Sequence, residues 1–287
     1  MSRRGFTLIE LLVVIAIIAL LLSILMPSLQ HAKKQATAVV CMSNQKQLSM
    51  AWVMYAEAND DKVVDGGPRL GGTITDTNPA SPTYNQTSST FVGEPENELG
   101  GFSNDTLDDK IRGFKKGGLW PYYEDYKLMH CPSDRRYHKA PSGAGGAIHG
   151  TMGGYRSYSI GACYSFVGYS MTTGEENHVT LKRNKITQPG DKIVWIEEAD
   201  GCGYNQNTFN MWIKFDITTP PSPYAIWDPL AVWHNERSTF GYADGHADRY
   251  KWTDKEVIRM GVIEEKLIPM TNMDDYEWIR DAYIPRR

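Results

Sequence analysis

Arg3-Arg4-Gly5-Phe6-Thr7-Leu8-Ile9-Glu10 stands near the start of the chain, and an apolar run to Met26 follows it. From Phe6 to Met26 only Thr7, Glu10 and Ser23 are polar, and Leu11 to Leu22 is wholly apolar. About 20 apolar residues cross a bilayer core as a helix, so the run is long enough to span. Arg3 and Arg4 sit on its N-terminal side, which by the positive-inside rule keeps that end in the cytoplasm and places the remaining chain beyond the membrane.

Three readings compete for such a run. A secretory signal peptide is cut after its apolar core at a small-x-small site, and no clear site of that kind follows Leu22. A plain anchor is not cut at all. A third kind of leader is cut before the apolar run. Glu10 separates them. A carboxylate in a membrane helix costs about 2.5–3.5 kcal/mol near the bilayer centre, and such residues are rare and usually functional. A cut between Gly5 and Phe6 creates an α-amine about one helical turn from Glu10, able to neutralise it on the same or a neighbouring subunit. A plain anchor has no use for that arrangement.

Arg4-Gly5-Phe6-Thr7-Leu8-Ile9-Glu10 resembles the class III signal of type IV pilins and type II secretion pseudopilins. The resemblance implies that a prepilin peptidase cuts after Gly5 and methylates the amine of Phe6, that Glu10 guides assembly, and that sister subunits are the partners. Loss of the leader removes Arg3 and Arg4 and leaves the chain more acidic. Pro27 follows the run and is expected to kink the helix. Beyond it Leu29, Ala32, Ala36, Val39, Val40, Leu48, Ala51, Trp52 and Tyr55 recur mostly three or four apart, as in an amphipathic helix. Lys33, Lys34, Gln35, Asn44, Gln45 and Lys46 occupy much of the other face, and Asn59-Asp60-Asp61 ends it. The expected parts are a leader at residues 1–5, a membrane and assembly helix at 6–26, its amphipathic continuation at 27–58, and a β-rich extracytoplasmic domain at 59–287. Phe6 to Ala58 as one helix is about 80 Å long.

The whole chain has 287 residues, 41% hydrophobic and 22% charged, with formal net charge −4. It has no long basic block, so a phosphate-tracking surface and nucleic acid as main partner are excluded. Residues 65–118 are rich in Gly, Thr, Asn, Ser and Pro and read as a long loop region with short elements. Strand signals follow at Tyr155–Tyr169, Lys192–Glu197 and Phe209–Phe215. Ser238–Ala243 and His246–Trp252 flank Asp244-Gly245, a hairpin signal for a type I′ turn with two positive φ values. Thr253-Asp254-Lys255-Glu256 resembles a capping box. The fold class expected is α+β and pilin-like: a long kinked N-terminal helix packed on an antiparallel sheet, with long loops.

His234 and Asp244 have nine residues between them, and Gly245 follows. With Cys41–Leu48, Cys131-Pro132-Ser133-Asp134, Tyr155–Tyr158 and Ala243–His246, this resembles the prepilin-type processing-associated H-X9-DG proteins. For His234, Asp244, His246 and Asp248 two readings stand. They hold a divalent metal such as calcium, or Asp244-Gly245 only makes the turn while His234 hydrogen-bonds across to pin it. No cofactor is otherwise expected. The four cysteines fit two disulfides in an oxidising compartment, with Cys41–Cys131 and Cys163–Cys202 favoured, or free buried thiols. No nucleophile-elbow motif supports a hydrolase, and Glu197-Glu198 with Asp200 read as a strand end and turn, so no enzyme is expected. Trp212, Tyr224, Trp227 and Trp233 lie close in sequence. They either fill a core or bind an extracellular polymer such as a glycan. The function expected is a structural pseudopilin or minor pilin, single-pass in the bacterial inner membrane. The alternative is a polymer-binding tip module.

Overall fold

The computed structural model of the chain describes residues 7–67, 70–75, 77, 85–103, 106–134, 136, 156–165, 179–199, 208–212, 225–226, 228–263 and 268–285. Its first element, α1, is one helix of 51 residues, Leu8–Ala58. Thr7 caps it by a reciprocal box: its hydroxyl accepts from the Glu10 N–H, and the Glu10 carboxylate accepts from the Thr7 N–H at 2.8 Å. The helix continues through Pro27 without a break. Asn59 ends it, and Asp60 and Asp61 turn the chain away with φ of 55° and 61°.

Every residue from 7 to 36 is exposed. Burial begins at Ala38 and returns at Cys41, Asn44, Gln45, Leu48, Ser49, Ala51, Trp52, Tyr55 and Ala56. That three-and-four spacing is one helical face laid on the domain. The packed stripe therefore starts later than the sequence pattern implied: Leu29, Val39 and Val40 are exposed. Asn44 and Gln45, expected on the polar face, are buried because they bond across to the domain. Asn44 Nδ2 donates to the His130 carbonyl at 3.1 Å, and Gln45 Nε2 donates to the Thr239 carbonyl and hydroxyl at 2.9 and 2.8 Å.

In chain order, β1 is Thr73–Thr75 and β2 is Thr87–Ser89, followed by α2 at Leu107–Lys116 and α3 at Trp120–Tyr123. Next come β3 at Tyr158–Ile160, β4 at Ile193–Glu197, β5 at Met211–Trp212 and β6 at Ala225–Ile226. The hairpin β7, Arg237–Tyr242, and β8, Ala247–Lys251, is followed by α4 at Lys255–Ile263, β9 at Ile268–Pro269 and α5 at Met273–Tyr283. Among the described residues the main sheet has four strands in the order β3-β4-β7-β8, every pair antiparallel. β1 pairs with β2, and β5-β6-β9 form a small third sheet.

The main sheet separates two apolar clusters. One contains Leu48, Trp52 and Tyr55 of α1 with Val64, Phe91, Phe114, Tyr158 and Trp195. The other contains Ile193, Ile196, Phe240 and Trp252 with Val257 and Met260 of α4 and Tyr276, Ile279 and Tyr283 of α5. The chain is thus α+β, a long N-terminal helix laid on antiparallel sheets. The short elements expected within 65–118 include β1, β2 and α2, which opens on a capping box of its own at Thr106 and Asp109.

The β7–β8 turn differs from the type I′ expectation. Gly245 has φ of 99°, while Ala243 and Asp244 do not have positive φ. The Gly245 N–H donates to the Tyr242 carbonyl at 3.0 Å, and the Tyr242 N–H to the His246 carbonyl at 2.9 Å. This is the longer hairpin loop that closes on a left-handed glycine. The start of α4 also differs. Asp254 Oδ1 takes the N–H groups of Glu256 and Val257 at 2.8 and 3.3 Å. Thr253 is not the cap, because its N–H and hydroxyl both donate to Asp275.

Candidate functional site

At the N-terminal end of α1, Glu10 is set by the cap. Its Oε2 accepts from both the N–H and the hydroxyl of Thr7 at 2.8 Å. Gly5 and Phe6, the expected cut, lie outside the described residues. Around Glu10 the apolar side chains have no cover from the domain: Leu8 and Ile9 are 78% and 74% exposed, and the same holds in kind to Met26. Burying that much apolar surface is strongly favourable, so this half of α1 is built to be covered by something other than its own domain.

At the other end of the domain contact, the cysteine and histidine signatures meet. Cys41 comes from α1. Cys131 comes from the turn after a short 3-10 segment, Tyr126–Met129. His234 precedes β7, and Glu197 is the last residue of β4. Cys41 Sγ lies 2.7 Å from Cys131 Sγ, which lies 3.5 Å from His234 Nε2, which in turn lies 3.0 Å from Glu197 Oε1. The ligand atoms of these four buried residues all fall within 4.8 Å of one another. Among the described residues no other group of three or more His, Cys, Asp and Glu side chains converges in this way.

The surroundings fix the cluster. Glu197 Oε2 accepts the Thr239 N–H at 2.9 Å. The Cys131 turn is closed by the Asp134 N–H to its carbonyl, and the Ser133 N–H points at Cys131 Sγ at 3.4 Å. Asp134 is held by Arg136, and Ser157 Oγ donates to it at 2.7 Å. Burial pushes the Cys41 and Cys131 thiols up, as does the Glu197 charge. Burial pushes the His234 imidazole down, but Glu197 and Cys131 beside it together outweigh this and raise it to about 10.

The remaining expected site residues are scattered. His234 does not pin the hairpin turn, because its ring faces Glu197 and Cys131 instead. The turn is braced locally: Asp244 Oδ1 accepts from the His246 N–H and faces its Nδ1 at 2.6 Å, and the His246 ring stacks on Tyr242 at 4.2 Å. Asp248 lies on β8, where its Oδ1 takes the Arg249 N–H. These three are not drawn into one ligand set. The nine residues between His234 and Asp244 measure the length of β7 with its approaches, not a shared site. Cys163 is buried and a thiol, and Cys202 lies outside the described residues. Cys41 and Cys131 are the neighbours expected, with no bond between their sulfurs. Of the aromatic set, Trp233 is half-buried with the Arg136 guanidinium 5.4 Å over its ring, while Tyr224 and Trp227 lie outside the described residues. Sequence reasoning missed Glu197 as a member of the cluster. The available signal was a carboxylate ending the apolar strand Ile193–Ile196.

A spanning-length helix with an uncovered apolar half, opened by a lone carboxylate, defines a membrane-anchored class of protein. Residues 1–26 match the family model described as the prokaryotic N-terminal methylation motif. The chain therefore carries a prepilin-type N-terminus, as pilins and pseudopilins do. No curated protein and no solved structure matches the chain.

Proposed function

We propose that this chain is a structural, non-enzymatic pseudopilin or minor pilin subunit of a type II secretion or type IV pilus-like system. The observation that carries this is the methylation motif at residues 1–26 joined to a helix whose residues 7–36 are exposed throughout. Lipid covers that half of the helix before assembly, and sister helices cover it afterwards. Prepilin peptidase cuts after Gly5 and methylates Phe6. The N-terminus faces the cytoplasm, and residues 59–287 lie beyond the inner membrane. Glu10 takes part in assembly: its carboxylate already accepts from Thr7, and the Phe6 amine made by the cut is the next group along the chain.

Intact-mass measurement of the membrane-extracted protein tests this. Wild type should appear without residues 1–5 and heavier by one methyl group. Gly5→Ala should remain full-length and unmethylated, and a normally processed Gly5→Ala chain would sink the proposal. Glu10→Val should insert and be processed yet fail to crosslink to sister subunits.

A further inference from the structure

We infer that Cys41, Cys131, Glu197 and His234 form a structural zinc site that ties α1 to the domain. The inference rests on side-chain placement alone and stands apart from the pilin reading. The donor set, two sulfurs with one imidazole and one carboxylate, suits a tetrahedral Zn2+ closed on all sides. Zinc bonds of about 2.3 Å to sulfur and about 2.0–2.2 Å to nitrogen and oxygen set ligand separations of about 3.3–3.8 Å in a tetrahedron. The Cys131-to-His234 and His234-to-Glu197 separations, 3.5 and 3.0 Å, are close to that range. The two sulfurs, at 2.7 Å, must open by about 1 Å to admit the ion.

Three further observations point to a ligand. The Ser133 N–H aimed at Cys131 Sγ is the kind of donor that a metal-bound thiolate receives. The Tyr158 hydroxyl is fully buried against the cluster beside Cys41, and a Cys41 thiolate would accept its hydrogen bond. Glu197 is oriented from behind by the Thr239 N–H, leaving its other oxygen for the centre. A disulfide between the cysteines would use neither Glu197 nor His234, which would then be left only with each other and the Thr239 N–H. Binding releases the two thiol protons and the proton shared by His234 and Glu197. The ion then joins four segments far apart in the chain, at residues 41, 131, 197 and 234, and so holds the helix to β4, to the approach to β7 and to the Cys131 turn.

The test uses the full chain purified in detergent with no metal added. Elemental analysis should find about one zinc per chain, with Cys41 and Cys131 resistant to alkylation until a chelator is added. Zinc-edge X-ray absorption on the wild type should show a mixed sulfur and nitrogen/oxygen shell, a readout that needs no variant to fold. Exchange with Co2+ should give a thiolate-to-metal charge-transfer band in the near ultraviolet that Cys131→Ser abolishes and His234→Asn shifts. A Cys41–Cys131 disulfide in the peptide map would overturn the site. So would a wild-type chain free of metal whose two thiols alkylate without a chelator.

Discussion

Asp134 carries the Cys131 turn on one buried carboxylate. Burial pushes its carboxyl up, but the Arg136 guanidinium, the Ser157 hydroxyl and the Arg136 N–H together outweigh this and hold it below the usual carboxylate range. A carboxyl depressed by folding binds its proton in the unfolded chain first, so stability rises with pH between the folded and unfolded values. That contribution is complete above about pH 5 and is lost as pH falls through the folded value. Asp134→Asn leaves Arg136 buried without its counter-charge and should cost about 3 kcal/mol at neutral pH. It should also flatten the acid limb of a urea-unfolding series run from pH 7 to pH 3. An unchanged acid limb would remove Asp134 from the account. Single residues of this kind were the least legible in the sequence. Asn44 and Gln45 read as solvent-facing amides because their partners, His130 and Thr239, are 86 and 194 residues away. Periodicity cannot see an acceptor at that distance.

Between elements, the contact that matters most is α1 on β7. Gly241 of β7 lies under Ser49 of α1, and a Cβ there would run into Ser49 Oγ and sit 3.1 Å from Trp195. Gly241→Ala should therefore push α1 off the sheet and cost about 1–3 kcal/mol, read as a lowered urea midpoint. Gly241→Ala combined with Ser49→Gly should recover much of the loss, and failure of that pair to recover would place the strain elsewhere. The hairpin that carries Gly241 was largely readable, since Asp-Gly between two β-rich runs leaves few alternatives. Its turn type was not, because Asp-Gly serves both the two-residue loop and the longer one, and only the backbone of Asp244 decides between them. The spacing of His234 and Asp244 was visible but its meaning was not. It reports a strand's length, with one end in the core and the other at a turn.

For the molecule as a whole, the boundary at Ala38 divides the uncovered rod of α1 from the part packed on the domain. Among the described residues no side chain before it is buried. A chain beginning at residue 30 should therefore be soluble without detergent and unfold at the same temperature as the detergent-held protein, within about 3 °C. Aggregation or a large fall in the melting temperature would show that the first half of α1 supports the domain. The membrane half of α1 was plain in the sequence because hydrophobicity alone specifies it. The strand order β3-β4-β7-β8 and the meeting of residues 41, 131, 197 and 234 were not, because both depend on pairings between distant segments. The exposed stretch 7–36 also sets a clearance. Thirty helical residues measure about 45 Å, and a hydrocarbon core takes up about 30 Å of that. Only about 15 Å of rod is left, level with Lys33 and Lys34, before the domain begins. With its apolar run in the bilayer, the domain would ride low over the lipid phosphates, so that neighbours in the same leaflet reach it from the side rather than from beneath.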